Sequence, residues 1–401
     1  MILGLQLNAA DLYVNSSGST GTYTTLTSAL TAASDGDRII VSTLINLIED
    51  ISIDKSVTIT SSSSGNMFTL NGIMNVVATA QKEIRIIGAD VTSLTFTAGT
   101  ATDANNCKFY FVDSDVANSV NTSVVGLSFN VLYCDMPTIY LAFRYGSIIG
   151  SSLSYFTLNA GTTTMQSDTT YIIANKFTSE CNVNNRDHNY FIANNYFYET
   201  NDYQLRLAAA KLTGSGANYI VNNTFYHSSS SSYGSNIYCN NVDHSNTYIY
   251  NNFFRHGYSG TSSSATKHIG YTSMSSANEP IIRYNVFARP YSNGNNGGVY
   301  WNTSLNSATY NNYLVHTSGN TVSTVDGRVT AGVGLDGGMP GINYYDIDIS
   351  NNDVGTYGGP YSWDNYWDTS TGRARVFSLD MPFEIWMGQT PTIKADAVHE
   401  K

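Results

Sequence analysis

The chain has 401 residues, of which 42% are hydrophobic and only 12% are charged. This hydrophobic content argues against a disordered chain, because disordered segments contain too little apolar surface to form a core. The net charge is −11, and the chain contains only 19 Lys and Arg residues. These are too few to form a basic surface that releases counterions from a nucleic acid, so no nucleic-acid partner is expected.

Residues 1–10, MILGLQLNAA, form an apolar run that ends in small residues. Such a run is typical of the end of a secretory signal peptide. No basic residue precedes it, and an ordinary first strand or a helical cap is the alternative. No later stretch approaches the roughly 18 apolar residues of a membrane span. The sequence therefore predicts an extracellular or cell-surface protein without a membrane span.

Residues 11–38 are predicted to form an N-terminal cap. Apolar residues recur there at helical spacing after the capping candidates Thr24 and Thr25, namely Leu26, Ala29, Leu30 and Ala33. Gly36 and Asp37 then turn the chain toward a strand. A helix at this place would cover the sheet edge that the first rung of a solenoid exposes.

A motif built around an asparagine recurs between residues 172 and 314. Its asparagines lie at intervals of 20, 28, 29, 33 and 27 residues, at Asn175, Asn195, Asn223, Asn252, Asn285 and Asn312. A fixed motif at variable spacing predicts constant strands joined by loops of changing length, as in a solenoid. The apolar positions three before and two after each asparagine are the predicted core, which contains Ile172, Ile192, Ile220, Ile249, Ile282, Phe177, Phe197, Phe225, Phe254 and Phe287.

Each asparagine of the motif marks a predicted bend. The apolar residue before it and the aromatic residue after it cannot both face inward from one straight strand, because side chains alternate along a strand. A bend between them solves this, and asparagine tolerates the left-handed conformation that a sharp bend requires. On rungs about 4.8 Å apart, Asn223 and Asn252 should then stack amide on amide.

Two of these patterns resemble the pectate-lyase-like superfamily of right-handed parallel β-helices, which includes secreted bacterial proteins. The run TLTSALTAASDGDRIIV resembles the N-terminal cap of that family, and the recurring asparagine resembles its asparagine ladder. Before residue 172 the resemblance rests only on strand-like segments such as VTIT and IRIIG. It implies an all-β fold, with a three-sheet right-handed parallel β-helix over residues 39–350.

Residues 351–401 are predicted to close the helix and to begin a C-terminal β extension. The segment NNDVGTYGGPYSW resembles the closing segment of many secreted bacterial β-helix proteins. Beyond it, apolar and polar residues alternate from Phe377 to Met387, and TIKADAV begins another strand-like stretch. We therefore expect further domains of a longer polypeptide.

The four cysteines, Cys107, Cys134, Cys181 and Cys239, are widely spaced and form no CxxC pair. A zinc site therefore has little support. Cys107 and Cys134 could stack on neighbouring rungs, either as a disulfide or as packed thiols, and the second is favoured by the usual burial of free cysteine.

The chain carries no GxSxG, HExxH or Gly-Lys phosphate-loop motif. Arg255-His256-Gly257 resembles the RHG of alginate-lyase and chondroitinase-B type helices, in which the arginine works with a lysine about one rung earlier. Lys211 follows a similar segment, but Arg255 lies 44 residues after it. This departure puts the transfer of the lyase mechanism in doubt.

Several candidate binding residues share one phase of the repeat. Counting four residues past the ladder asparagine reaches His227, His256 and Arg289. In a regular solenoid these residues form a column at the end of the third sheet, where the chain enters the loop before the first sheet. In pectate-lyase-like proteins that loop borders the substrate groove.

The strands that follow this column form the predicted first sheet: YQLRLA, SNIYCNN, KHIGYT and GVYWNT. Aromatic faces beside amides and a guanidinium suit the stacking and hydrogen bonding of sugar rings and uronate carboxylates. Any solvated strand face is also polar, so the pattern is compatible with a surface that binds nothing. With the apolar residues inward, the outward set is Gln204, Arg206, Tyr238, Asn240, His268, Tyr300 and Asn302.

The sequence leaves two functions open. The first is polysaccharide binding along an outer groove, with or without lyase-type cleavage of a uronate-containing glycan. A lyase needs a base and a cation that holds the developing enolate. The candidates are Arg206 and His268, with Lys211 and His256 in reserve, and Ca²⁺ could serve as the cation. The second is a non-catalytic adhesin or spacer, whereas ice binding is disfavoured because TxT units do not recur at rung spacing.

Overall fold

The structure of the chain is a computed structural model and forms a parallel β-helix. Each rung contributes to three sheets. Along the chain, a strand of the second sheet ends at the asparagine bend, a strand of the third sheet follows the bend, and a strand of the first sheet comes next. The residues that the structure describes are 9–63, 65–78, 82–98, 107–122, 127–142, 145–159, 169–184, 189–198, 203–207, 216–227, 235–239, 243–256, 267–271, 279–289, 311–316, 319–341, 344–346, 348–367, 374–380 and 394–399.

The second sheet has thirteen strands, all paired in parallel. Alternate residues of its strands are buried, because one face of the sheet meets the interior of the helix. Its strands are β1 (Asp11–Val14), β2 (Thr22–Tyr23), β3 (Arg38–Val41), β6 (Thr58–Ser61), β8 (Glu83–Ile87), β10 (Lys108–Val112), β13 (Ser128–Leu132), β15 (Tyr145–Ile149), β17 (Thr169–Ile173), β20 (Asn189–Ala193), β23 (Asn218–Val221), β26 (Thr247–Tyr250) and β29 (Ile281–Arg283).

The third and first sheets are joined by long strands that cross from one to the other, namely β7 (Phe68–Ala78), β9 (Ala89–Ala98), β14 (Asp135–Leu141) and β16 (Ser152–Asn159). The other strands of the third sheet are β4 (Asn46–Leu47), β11 (Asp115–Val116), β18 (Lys176–Phe177), β21 (Tyr196–Tyr198), β24 (Thr224–His227), β27 (Phe253–His256), β30 (Val286–Arg289) and β31 (Tyr313–His316). Those of the first sheet are β5 (Ile51–Ile53), β12 (Val120–Thr122), β19 (Cys181–Asn184), β22 (Tyr203–Leu207), β25 (Ser235–Cys239) and β28 (Lys267–Tyr271).

The interior is one continuous hydrophobic core, and it contains every isoleucine and phenylalanine predicted from the motif, each at most 1% exposed. The phenylalanines stack along the helix. Ring centroids lie 4.6 Å apart between Phe197 and Phe225 and 4.9 Å apart between Phe225 and Phe254, with nearly parallel planes. The stack follows from the strand register, which pairs each phenylalanine with its counterpart on the next rung. The predicted core is therefore confirmed.

The asparagine ladder is confirmed in hydrogen bonds. Asn223 donates both its backbone N–H and its Nδ2 to Oδ1 of Asn252, each at 2.9 Å, and Asn252 donates likewise to Asn285. The left-handed conformation falls on the residue before the ladder position, as at Asn222 (φ 53°) and Asn251 (φ 56°). Thus the two asparagines of each Asn-Asn pair have different functions: the first turns the chain and the second forms the ladder.

The ladder position continues toward the N-terminus with smaller polar side chains. Ser151 donates its backbone N–H to Asn175 Oδ1 at 3.0 Å, and Cys134 donates its own to Ser151 Oγ at 3.1 Å. One rung before Cys134, Ser114 Oγ accepts from the N–H of Ala89 at 2.9 Å. The bend therefore persists where the Asn-Asn motif is absent from the sequence.

A short helix, α1 (Leu26–Ala32), lies near the N-terminus, where the sequence predicts one. Thr25 caps it by accepting a hydrogen bond from the backbone N–H of Ser28. Its buried residues Leu26, Ala29 and Leu30 join the main core. The helix contacts β1, β2, β3 and β5.

A segment that we call the strap, the described residues between 319 and 367, turns back along the asparagine bend. It contains β32 (Thr321–Val322), β33 (Val329–Ala331) and α2 (Asp364–Trp367). Asn251 O accepts from Gly355 N at 2.9 Å, Asn194 Nδ2 donates to Thr356 O at 3.0 Å, and the Trp367 indole donates to Ala174 O. The strap therefore covers bend residues on successive rungs and forms hydrogen bonds with them.

Beyond the strap, β34 (Ala374–Asp380) and β35 (Lys394–His399) form an antiparallel hairpin. Within the described part of the chain, no helix is long and apolar enough to cross a membrane.

All four cysteines are free and buried, which selects packed thiols over a disulfide. Burial raises the pKa of Cys107 to about 11 and that of Cys239 to about 12, so these thiols stay protonated.

Candidate functional site

A column of polar side chains crosses the outer face of the first sheet. The strand register places Thr157 beside Asn182, Asn182 beside Arg206, and Arg206 beside Tyr238. The Arg206 guanidinium lies 5.8 Å from the centre of the Tyr238 ring, and the Tyr203 ring lies 4.5 Å from that of Tyr238. Arg206 and Tyr238, two of the predicted binding residues, are therefore neighbours.

Three polar atoms of this column are shielded from solvent and have no hydrogen-bond partner among the described residues: Thr157 Oγ1, Asn182 Oδ1 and Arg206 Nε. Each unsatisfied buried group costs about 1–3 kcal/mol, so such groups are uncommon unless water or a ligand meets them. Their alignment on consecutive rungs is the arrangement that an extended polar ligand would satisfy.

Two other predicted members of the outer face, Gln204 and His268, are at most 1% exposed, so their outward placement is wrong. They form a second buried polar stack with Asn236, which the sequence pattern did not predict. Asn236 Nδ2 donates to Gln204 Oε1, and Asn236 Oδ1 lies 2.7 Å from His268 Nδ1. The His268 ring also packs against Phe254 and Phe287 in the interior.

The error has a structural cause. Gln204 and Leu205 are both buried, as are Asn236 and Ile237, because the chain turns a corner where it enters the first sheet. Strict alternation begins one residue after the corner, so the side chain at the corner faces inward and not outward. His268 is consequently not a candidate for a base that meets a ligand on this surface.

The predicted histidine column lies at the end of the third sheet. Strand pairing places His227 beside His256, and Arg289 beside His316. His227 is only 1% exposed, which places it beneath the surface and not in an open groove. For His256 and Arg289 the structure describes the backbone but not the side chains. Lys211, Asn240, Tyr300 and Asn302 lie outside the described residues.

A second surface, which the sequence analysis did not single out, lies on the outer face of the second sheet. The register aligns Tyr171, Phe191, Tyr219 and Tyr248 on consecutive rungs. Ring centroids of Tyr219 and Tyr248 lie 5.1 Å apart with an interplanar angle of 15°. All four residues stand four positions before a ladder asparagine, so this offset would have revealed the row.

The strap adds a wall to this aromatic row. Together they form a cleft of about 550 Å³, with Tyr344, Pro360 and Tyr361 on the side of the strap. The Tyr361 ring stands nearly edge-on to Phe191, with centroids 5.2 Å apart and an interplanar angle of 67°. Burial, and secondarily the neighbouring Tyr361, raises the pKa of Tyr171, so its phenol stays protonated at neutral pH.

Among the described residues, no group of three His, Cys, Asp or Glu side chains is arranged to hold a metal ion. A calcium site is therefore not assigned to any residue. Comparison of the chain with protein-family models, with curated proteins and with solved structures finds no match in any of the three. The parallel β-helix assignment rests on the strand register described above.

Proposed function

We propose that this chain binds an acidic polysaccharide on the outer face of the first sheet, as part of a secreted or cell-surface protein. The observation that carries the proposal is the column of solvent-shielded, unpartnered polar atoms on Thr157, Asn182 and Arg206. Parallel strands repeat about every 4.8 Å, so an extended chain along the helix axis would meet one such group on each rung.

The chemistry of the column favours a sugar with carboxylates. Arg206 carries a planar fork of N–H donors that matches a carboxylate. Tyr238 and Tyr203 offer ring faces to the apolar faces of pyranoses. A uronate-containing glycan combines both demands, whereas a nucleic acid would need a strongly basic surface, which a chain with 19 Lys and Arg against 30 Asp and Glu is poorly suited to form.

Binding is proposed in preference to cleavage. Lyase chemistry requires a base beside the acidic C–H of the substrate, and His268, the base suggested by the sequence, points into the core. The pectate-lyase-like family resemblance is part of this proposal and rests on the ladder, the N-terminal run and the closing segment. A lyase would then depend on residues such as Lys211 or His256.

A spacer or adhesin role is the second candidate, and the uninterrupted internal stacks favour it. The ladder bonds run rung by rung from Ser151 to Asn312, and the phenylalanine stack runs beside them. Such stacks hold each rung in register with the next, so the molecule is suited to act as a stiff rod.

The test uses hexagalacturonate and hexamannuronate as probes in isothermal titration calorimetry. Arg206→Gln is expected to weaken binding about tenfold, because the forked pair with a carboxylate is lost. Arg255→Gln is the matched control, since Arg255 packs at 5.0 Å over Tyr226 on the third sheet in the same manner. The affinity of this control should stay within about twofold of the wild type. That change is well below the tenfold change in affinity expected for Arg206→Gln, which corresponds to about 1.4 kcal/mol of binding free energy.

The same samples, monitored in the ultraviolet for unsaturated product with and without calcium, separate binding from cleavage. Product formation that Arg255→Gln abolishes would replace the binding proposal by lyase activity at the RHG motif. No binding of either probe would leave the spacer role as the better account.

A further inference from the structure

The cleft between the strap and the second sheet differs chemically from the surface around Arg206. No Asp, Glu, Lys, Arg or His belongs to its described lining. Its floor is the row of Tyr171, Phe191 and Tyr219, whose outer ring faces point away from the core. Tyr219 is 39% exposed, which leaves a large part of its ring open to a ligand.

The wall of the cleft is held in place by the strap. Asp346 accepts hydrogen bonds from the backbone N–H groups of Gly359 and Asp353, and Gly359 directly precedes Pro360 and Tyr361. Asn194 and Asn222, at the base of the cleft, use their amide nitrogens to bind strap carbonyls. The cleft is therefore preformed. A ligand does not have to order the strap when it binds, so no binding free energy is lost in ordering it.

Two steeply inclined aromatic surfaces with phenol groups at their edges suit a ring with apolar faces and polar edges. A pyranose has this character, since its C–H faces can stack on aromatic rings while its hydroxyls bond to phenols and amides. The volume of about 550 Å³ lies in the range of small-ligand pockets. The lack of charged lining groups removes the means to compensate a carboxylate on the ligand.

We infer that this cleft is a binding site for neutral saccharides, separate from the proposed acidic-glycan surface of the first sheet. Tyr219 and Phe191 stack on the sugar ring from below, and Tyr361 contacts its side. The aromatic row continues to Tyr248, so a longer chain leaves the cleft along the second sheet.

The test is titration with neutral hexaoses, namely those of cellulose, mannan, xylan and amylose, each at up to millimolar concentration. At least one should bind, and Tyr219→Ala should weaken that binding about tenfold. Tyr313→Ala is the matched control, because Tyr313 is 38% exposed and lies on the third sheet. Tyr219→Phe, which keeps the ring, should retain most of the affinity.

Arg206→Gln and Tyr219→Ala distinguish this inference from the proposed function. The first should leave neutral-hexaose binding unchanged, and the second should leave hexagalacturonate binding unchanged. The inference is overturned if none of the four neutral hexaoses binds, or if Tyr219→Ala and Tyr313→Ala weaken binding equally. Preferential binding of hexagalacturonate in a manner that depends on Tyr219 would also overturn it.

Discussion

Two corners of this β-helix contain buried polar stacks, and they are built differently. The corner between the second and third sheets has the asparagine ladder, in which each side chain bonds both the backbone and the side chain of its neighbour. The corner between the third and first sheets has, in its described rungs, the stack of Gln204, Asn236 and His268, which bond one another through their side chains. The strap covers the first of these corners.

The difference lies in how the chain reaches each corner. The ladder corner is entered directly from a strand and left after a bend of fixed length, so its residues recur at constant offsets. The other corner follows loops whose length changes between rungs, because Gln204 and Asn236 stand 9 and 13 residues after their ladder asparagines. Because its offsets are constant, the first corner can be predicted from the sequence. The second corner cannot, because the loops before it vary in length.

The largest expected effect is at the ladder corner. Asn252→Ala should lower the free energy of unfolding by about 3 kcal/mol, because the buried backbone N–H of Asn223 loses its acceptor and the Ile220 carbonyl loses its side-chain donor. Guanidinium denaturation measures it. Asn312→Ala is the control at the end of the described ladder, where the side chain is only half-buried, and should cost about 1 kcal/mol. Equal losses at both positions would mean that the ladder does not act as a bonded stack.

A smaller effect is expected at the second corner. Asn236→Ala removes the partner of both Gln204 Oε1 and His268 Nδ1 and should cost about 2 kcal/mol. Asn246→Ala, at an exposed amide, should change stability by no more than about 0.5 kcal/mol. A variant of Asn236 as stable as that of Asn246 would show that the second stack contributes nothing.

The smallest effect concerns the strap and depends on pH. Burial raises the pKa of Asp346 from 3.8 to about 6, aided by the nearby carboxylates of Asp353 and Asp348. Because the folded pKa is raised, the stability that this group contributes is complete below about pH 4 and is lost as pH rises through 6. Burial also raises the pKa of Asp353, although the hydrogen bond that it accepts from the backbone N–H of Asp336 lowers it in part, so Asp353 acts in the same direction.

Asp346→Asn removes the charge and should therefore flatten this dependence. The stability of the variant relative to the wild type should rise between pH 4 and pH 7, by less than about 1 kcal/mol since the carboxyl is half-exposed. Denaturation midpoints measured across this range provide the check. Parallel curves for the two proteins would rule out Asp346 as the titrating group.

The sequence predicted the candidate site less well than the fold. Arg206 and Tyr238 lie on the outer face, as the alternation predicts, but Gln204 and His268 face inward because the corner shifts the alternation. The cleft was missed although its aromatic row has a constant offset from the ladder. The wall of the cleft is formed by the strap, and no sequence pattern near the aromatic row predicts the contact between the row and the strap.

The sequence by itself determined the repeat, the bend and the core, because each depends on residues a few positions apart whose geometry the backbone fixes. Only the tertiary structure decided what covers the bend and what forms the cleft. Asn222 meets Asn352 across 130 residues of chain, and Trp367 meets Ala174 across 193. Contacts of this kind depend on the path of the whole strap over the stacked rungs. Local periodicity in the sequence does not determine that path.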